Sequence, residues 1–358
     1  PTTQSGSFNM TTISIKSAFE GVGSAENGYS SKSFSKFQSL LGVYQQRVEQ
    51  QYAGATYPEG TGMSGVFNPE NGTVDKYSSD VMIPAFLSAY TGGDQLEVFP
   101  SLLRMLPNWS LSYKGLSRLP WIKEHFRSVT LNHGYRSIYS VGAYNTYSTW
   151  LQYMGDLGFV ANTTTGGYLP SSMYDISSVS INESFSPLIG MNVTLKNNMT
   201  LKAEYKKTRV LTLSMTSVQL NESASNDIVF GWGYRVNDFK LGSLFNRKRR
   251  VKNKRNGEDE EENTSTAKNS FNRELNLQFD FSYRSQSSVT RDIQNSLSEA
   301  TSGNRAIKAS FSADYTLSKY MTFTLYYDRQ RNMPLLSSNA YPTITQDFGF
   351  SLRFSLTR

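Results

Sequence analysis

The sequence predicts an all-β chain whose antiparallel strands form part of a transmembrane β-barrel with a helical loop insertion. Apolar and polar residues alternate with a period of two over runs longer than the roughly five or six residues of a typical globular strand. Hydrophobic residues make up only 38% of the chain although aromatics reach 13%, as in barrels with a polar lumen and aromatic girdles. No apolar run approaches the roughly eighteen residues of a membrane helix, so any span must consist of strands.

The clearest alternation runs through residues 178–215. Odd positions are mostly apolar and even positions polar on both sides of Asn197-Asn198, which predicts a long β-hairpin. Residues paired across a hairpin share a face, so odd positions must pair with odd ones. A three-residue loop at 197–199 obeys this rule and predicts that Val193 pairs with Ala203, whereas a strictly two-residue loop breaks it.

The same alternation predicts ten strands along the chain. They lie near 8–16, 108–114, 128–147, 178–196, 199–215, 227–236, 273–284, 305–317, 321–331 and 346–357. Residues 1–16 are thus assigned to one barrel strand, and residues 108–358 to further membrane-spanning strands. Residues 150–165 are expected to extend the strand that precedes them.

Residues 17–107 are predicted to be a helix-containing insertion on the extracellular side. Apolar side chains recur at helical spacing from Phe34 to Val48, with Ser33 as the N-terminal cap. We favour a helix docked on a protein surface over one lying on a membrane. A second, apolar helix is predicted over 79–94, closed by a pair of glycines.

The parity of each strand assigns one face to lipid and the other to the lumen. The predicted lipid-facing residues are Phe279, Phe281, Phe311, Leu325, Phe350 and Phe354. The predicted lumen-facing polar residues are Lys202, Glu204, Lys206, Ser312, Asp314 and Arg353. Counting strands back from the C-terminus puts the turns 197–199 and 318–320 in the periplasm, the segment 237–272 on the same side, and the insertion at the cell exterior.

The net charge of +7 is a local feature, because seven basic residues lie in one run at 247–255. An acidic run follows it, and the whole segment 246–263 is predicted to be a disordered, solvated loop. We therefore expect no nucleic-acid partner.

The search for catalytic or metal-binding chemistry is negative. His125 and His133 are the only histidines, and no carboxylate is spaced to join either in a metal site. His133 shares the face of Leu131 and Tyr135, which favours a packed histidine over a catalytic base. Cysteine is absent, and no nucleotide-binding or nucleophile motif stands between a strand and a helix. The sequence predicts no catalytic residue, no cofactor and no metal, in a protein that is not an enzyme.

Several stretches resemble a known family. They are SINESFSPLIGMNVTLKN and LKAEYKKTR in the hairpin, SDVMIPAFLSAYTGGD and LPNWSLSYKGLSRLPW before it, and FGFSLRFSLTR at the end. Together they resemble the C-terminal region of the SprA (Sov) family, the outer-membrane translocon barrel of the type 9 secretion system and gliding motility of Bacteroidetes. Because that barrel has about 36 strands, the resemblance implies that this chain forms part of the wall of a very large barrel.

The resemblance also implies partners and a location. The location is the cell outer membrane, where folded cargo proteins with a C-terminal sorting domain pass to the cell surface. The partners are the rest of the barrel chain, a PorV-type shuttle barrel at a lateral opening, a periplasmic plug protein, the cargo and outer-membrane lipid.

Other functions compete with this one. The main alternative is a self-contained outer-membrane porin or adhesin of about ten strands; a barrel enzyme and a soluble β-rich binding protein are the others. The sequence shows no export signal at its start, so we expect a piece of a longer exported chain.

Overall fold

The computed structural model describes residues 4–67, 74–94, 97–101, 105–162, 166–237, 239, 273–318, 320–336 and 341–355. The charged segment predicted at 246–263 lies outside these residues.

The described residues are mostly β-strand. The strands are β1 Ser5–Thr11, β2 Trp109–Tyr113, β3 Phe126–Thr146, β4 Leu151–Met154, β5 Leu157–Ala161, β6 Tyr168–Ser172, β7 Tyr174–Ile176, β8 Ser178–Leu195, β9 Met199–Ser214, β10 Gln219–Val236, β11 Leu275–Asp292, β12 Ser298–Ser318, β13 Met321–Pro334 and β14 Thr343–Phe354. The helices are α1 Ile15–Ala18, α2 Lys32–Gln51, α3 Ser79–Thr91 and α4 Pro120–His125, with 3₁₀ turns at Ala25–Asn27 and Gly115–Arg118.

Eleven strands form one antiparallel sheet, which confirms the predicted antiparallel β class. Its strand order is β1-β3-β8-β9-β10-β11-β12-β13-β14, with β2 and β7 also paired to β3. From β8 onward each strand pairs with the next one along the chain, as expected for strands joined by hairpins. Strands β4, β5 and β6 form a separate small sheet.

The central hairpin has the predicted parity but a different register. Val193 pairs with Leu201, so the predicted pairing of Val193 with Ala203 is wrong by two residues. The loop does have three residues, but they are 196–198, because Asn198 adopts a left-handed conformation with φ of 66° and closes the turn one position earlier. A shift of two keeps odd positions opposite odd ones, so every side chain stays on its predicted face.

Several strands differ in extent from the prediction. Strand β10 begins eight residues before the predicted 227, and β11 continues eight residues beyond the predicted 284. Strand β1 ends at Thr11, and 15–18 is helical instead of extended. The segment 150–165 is expected to lengthen β3, but its described residues instead form β4 and β5 of the small sheet, because Gly155 with φ of 56° turns the chain back on itself.

Helices α2 and α3 pack together into what we call the helical module, residues 14–67 and 74–94. The cap of α2 is Ser31 instead of the predicted Ser33, since the Ser31 hydroxyl accepts from the amide of Phe34 at 3.3 Å. Gly92, in the left-handed region, ends α3 as expected. Buried side chains of both helices, among them Phe37 and Phe86, share one hydrophobic core with side chains of the large sheet.

The helical module covers one end of the sheet. Its core includes Val179 of β8, Leu213 of β9, Leu220 of β10 and Ile293, which lie beside the connections 215–218 and 293–297. The turn at 196–198 and Tyr320, which follows β12, are at the opposite end. The helical module therefore covers the apolar face of β8–β10 at the end of the strands opposite the turn 196–198.

Candidate functional site

One face of β9–β12 carries interspersed charges. On β9 the Glu204 carboxylate lies between Lys202 and Lys206, with one oxygen 3.1 Å from each ammonium nitrogen. Across the sheet, Arg284 donates hydrogen bonds of 2.9 and 3.0 Å to the two carboxylate oxygens of Asp227. Lys206 pairs with Asp227, and Asp227 with Arg284, so all of these groups share a face. Water-exposed pairs of this kind make a hydrated surface with both signs of charge.

An open groove of about 760 Å³ lies on this polar face near the turn between β8 and β9. Gly231 and Gly233 line it, together with Lys202 and Arg235. A Cβ atom at Gly233 would lie 2.6 Å from the hydroxyl of Thr200, so the groove depends on the missing side chain. The polar surface is therefore recessed at this point.

The opposite face carries an apolar band across β10–β14. Trp232 pairs with Phe279, and Phe279 pairs with Phe311. Leu325 pairs with Phe350 on the last two strands. The band consists of Ile228, Phe230, Trp232, Tyr234, Leu275, Leu277, Phe279, Phe281, Tyr283, Ile307, Ala309, Phe311, Ala313, Tyr315, Met321, Phe323, Leu325, Tyr327, Phe348, Phe350, Leu352 and Phe354.

The band has a defined edge and width. On β11 it runs from Leu275 to Tyr283, which is nine residues. Beyond Tyr283 the same face becomes polar at one level on β10, β11 and β12. At that level Asn226 pairs with Ser285, and Ser285 pairs with Arg305. On β13 the same face turns charged two same-face positions nearer the turn end, at Arg329 and Arg331, which pair with Ala309 and Ile307. A change of polarity across neighbouring strands marks a boundary between two environments.

Strand pairing decides how the predicted site residues are grouped. Phe279, Phe281, Phe311, Leu325, Phe350 and Phe354 share one face of the sheet. Lys202, Glu204, Lys206, Ser312, Asp314 and Arg353 share the other. On this second face the carboxylate of Asp314 accepts from the hydroxyl of Thr324, its partner across the strands, at 2.5 Å.

Where the helical module covers the apolar face of the sheet, that face carries buried charged side chains. Glu183 and Arg209 face each other across β8 and β9, with Oε2 and Nη2 2.9 Å apart and each side chain 2% exposed. The other carboxylate oxygen of Glu183 accepts from the hydroxyls of Ser14 and Tyr135, both at 2.7 Å. Arg209 donates to the carbonyl and hydroxyl oxygens of Ser17, at 2.5 and 2.8 Å. The ion pair therefore binds α1 to the sheet.

A second buried ion pair repeats this arrangement one hairpin further on. The guanidinium of Arg291, with a fully buried side chain, lies 3.0 Å from the Glu222 carboxylate. It also donates to the carbonyl oxygens of Val22, at 3.1 Å, and of Tyr29. The ring of Phe34 lies 5.4 Å from the guanidinium carbon, within range of a cation–π contact. Backbone carbonyls of the module thus replace the water that the arginine gives up on burial.

Sequence reasoning missed these four charged residues, although a signal was present. Each of these residues is a charge at a position where the alternation of its strand expects an apolar side chain, namely Glu183, Arg209, Glu222 and Arg291. A charge on a face that is otherwise apolar must have a partner when it is buried. Opposite signs on adjacent strands therefore indicate that another part of the chain covers this face.

Burial shifts the pKa of two groups in the helical module. The Asp80 carboxyl, in the first turn of α3, accepts from the amide of Ser172 at 2.8 Å. Loss of solvent on packing against the small sheet raises its pKa above the ordinary aspartate value. Burial likewise raises the pKa of the Tyr90 phenol, whose side chain lies fully inside the module.

The two histidines contact backbone carbonyls. His125 Nδ1 is 3.1 Å from the carbonyl oxygen of Trp121, and His133 Nδ1 is 2.6 Å from that of Leu188. The ring of His133 packs between those of Trp109 and Phe185, both with centroids 6.4 Å away, which confirms a packed residue. Within the described ranges, no three acidic or histidine side chains gather as metal ligands.

No described helix combines the length and the hydropathy that a bilayer crossing requires. No protein-family model matches the chain, and a comparison with curated proteins gives no match.

Proposed function

We propose that this chain is a segment of the wall of an outer-membrane protein-conducting barrel, the translocon of type 9 secretion. In this proposal the apolar band contacts lipid and the charged face lines the lumen. The observation that supports it most is the band itself, about nine residues wide on β11 and backed by a polar surface.

The width of the band fits a bilayer. A transmembrane strand needs about 9–11 residues when tilted by about 45°, which spans an apolar band about 25 Å tall. The band on β11 and β12 covers 275–283 and 307–315, at the lower end of that range. A soluble two-layer β-protein would cover such a face with a second sheet or with helices. In the described part of the chain the helical module covers only the other end of these strands.

The open edges of the sheet support a larger barrel over a self-contained porin. In the described residues β14 pairs only with β13, and β1 only with β3. Phe348, Phe350 and Phe354 on β14 are between 65% and 74% exposed. Unpaired backbone groups cannot be satisfied in lipid, so in this proposal further strands continue the sheet at both edges. The resemblance to the SprA family implies that such strands belong to the rest of the barrel chain. It also implies the partners, which are the cargo, the PorV-type shuttle barrel and the plug protein.

Photocrosslinking in secreting cells tests the proposal. A photoreactive amino acid at Ser312 or Lys202, on the charged face, should capture cargo that carries a C-terminal sorting domain. The same group at Phe311, the neighbour of Ser312 in sequence, should capture lipid and no cargo. Cargo captured equally from both positions, or from neither during active secretion, would overturn the proposal.

A further inference from the structure

Residues 114–127 form a short segment that folds from the edge of β3 onto the apolar face. We propose that this segment is an interfacial anchor, which rests on the headgroups of anionic phospholipid at the border of the apolar band. The inference depends on the proposed function, because it requires that the band contact a bilayer.

The anchor segment is fixed to the sheet at one end of the strands. The hydroxyl of Ser117 donates to the carbonyl of Val129 at 3.2 Å and accepts from its amide at 2.9 Å. Ile122 of α4 is 7% exposed and packs against Val129 and Val193, both on the apolar parity. The amide of Lys196, in the hairpin turn, donates to the carbonyl of His125 at 3.4 Å. The segment therefore lies at the turn end, opposite the helical module.

The outer surface of the anchor segment is amphipathic. Trp121 is 62% exposed and Leu119 is 44% exposed, although both are large and apolar. Four basic side chains accompany them, Lys114, Arg118, Lys123 and Arg127, against the single acidic Glu124, and all of these are exposed. Tryptophan beside lysine and arginine is the composition that concentrates at membrane–water interfaces, where basic groups meet anionic headgroups.

The anchor segment is continuous with an exposed apolar surface. Leu111 and Tyr113 of β2 are 59% and 58% exposed, and Ile189 and Met191 of β8 are 67% and 40% exposed. Pairing puts all four on the face that Ile122 covers. On β8 this exposed stretch ends at Phe185, where Phe19 of the helical module stacks at 5.4 Å between centroids. An apolar stretch bounded by the anchor on one side and the module on the other has the order expected of a bilayer with its two borders.

The four tryptophans of the chain allow a direct test. The assembled outer-membrane protein that contains this chain is reconstituted in vesicles with anionic phospholipid, and a tryptophan analogue with a distinct emission is introduced at one of these positions at a time. Lipids carrying a nitroxide either on the headgroup or deep in the acyl chain then quench the emission. Trp121 should lose more emission to the headgroup nitroxide, and Trp232, in the middle of the band, more to the acyl nitroxide. Trp150, beside the small sheet, is the control and should lose emission to neither.

The outcomes separate the inference from the proposed function. If the acyl probe quenches Trp232 but the headgroup probe leaves Trp121 unchanged, the anchor is overturned and the membrane wall stands. If neither probe quenches Trp232, the proposed function fails and the anchor fails with it. The variant Arg118→Glu with Lys123→Glu should reduce headgroup quenching of Trp121 in anionic vesicles and leave it unchanged in zwitterionic ones. Equal quenching of this variant and the parent in anionic vesicles would overturn the assignment to anionic lipid.

Discussion

Arg209 illustrates how a single residue can fasten two parts of a chain. Its guanidinium contacts Glu183 on the neighbouring strand and Ser17 in the helical module. Burying two opposite charges gains little net stability over a well-packed apolar pair, but removing one charge leaves the other uncompensated. The effect of a substitution therefore depends on which partner remains.

We predict that Arg209→Met destabilises the docked module by about 3–5 kcal/mol, since Glu183 is left buried without its cation. Adding Glu183→Gln should recover most of that loss. The matched control is Arg284→Met, which breaks an ion pair whose arginine is 61% exposed and should cost at most about 1 kcal/mol. Urea unfolding measures all three in a background where Trp109, Trp121 and Trp232 are replaced by Phe, so that Trp150 is the fluorescent reporter. Equal costs for the two arginine variants would contradict the prediction.

The facing assignment makes a second prediction at single residues. Arginine in place of Phe279, Phe311, Leu325 or Phe354 should cost about 2–4 kcal/mol where the position lies near the bilayer midplane, because the charge must enter lipid. The same change at Ser312 or Ser351 should be nearly neutral, because these residues share the charged face. Refolding of the assembled barrel into lipid vesicles measures the difference. Comparable losses on both faces would refute the assignment of lipid and lumen.

Asp80 gives a pH dependence of known sign. Its folded pKa is raised by burial, so the folded state holds the proton more tightly than the unfolded state does. Its contribution to stability is therefore fully present below the unfolded pKa and is lost as pH rises through the folded pKa. Asp80→Asn keeps an oxygen for the Ser172 amide and does not titrate. The urea midpoint of Asp80→Asn relative to the native chain should thus rise from acid to neutral pH; a constant difference would exclude this role.

At the scale of elements, the sequence predicted helices and strands where a periodic pattern was long and unbroken. The apolar spacing from Phe34 to Val48 lies within α2, and the β8–β9 hairpin has its predicted parity. The predicted register of this hairpin is wrong by two residues. Alternation determines which face a side chain lies on, but it does not determine which residue it pairs with, and the left-handed conformation of Asn198 sets the position of the turn.

The elements that escaped prediction are those in which packing overrides the local pattern. Strand β11 continues past Arg284 to Asp292, and the helical module covers this last part, which includes Arg291. Because Arg291 is a buried charge at a position where alternation expects an apolar residue, the sequence pattern did not predict this part of the strand. The small sheet has strands of four or five residues, too short to show a period. Its core contains Phe159 of β5 and Tyr52, the residue that follows α2.

At the scale of the whole molecule, the sheet is open at both edges among the described residues. We predict that residues 1–358 expressed alone do not form a monomeric conducting pore, because an open edge leaves backbone groups unpaired in lipid. Planar-bilayer recording and heat-dependent migration on gels measure this. Stable single-channel conductance would favour the self-contained porin over the translocon wall.

The length of the strands has a consequence for how cargo would leave. Strands β11 and β12 have 18 and 21 residues, about 60–70 Å at roughly 3.3 Å per residue, against an apolar band only about 25 Å tall. Band residues make up half of β11 and less than half of β12, so in the proposed translocon the rest of each strand lies outside the hydrocarbon. On β11 the buried pair of Arg291 and Glu222 fastens this part to the helical module. In the proposed translocon this part of the wall is rigid and projects beyond the bilayer. Its fixed circumference limits the size of the folded domain that can emerge.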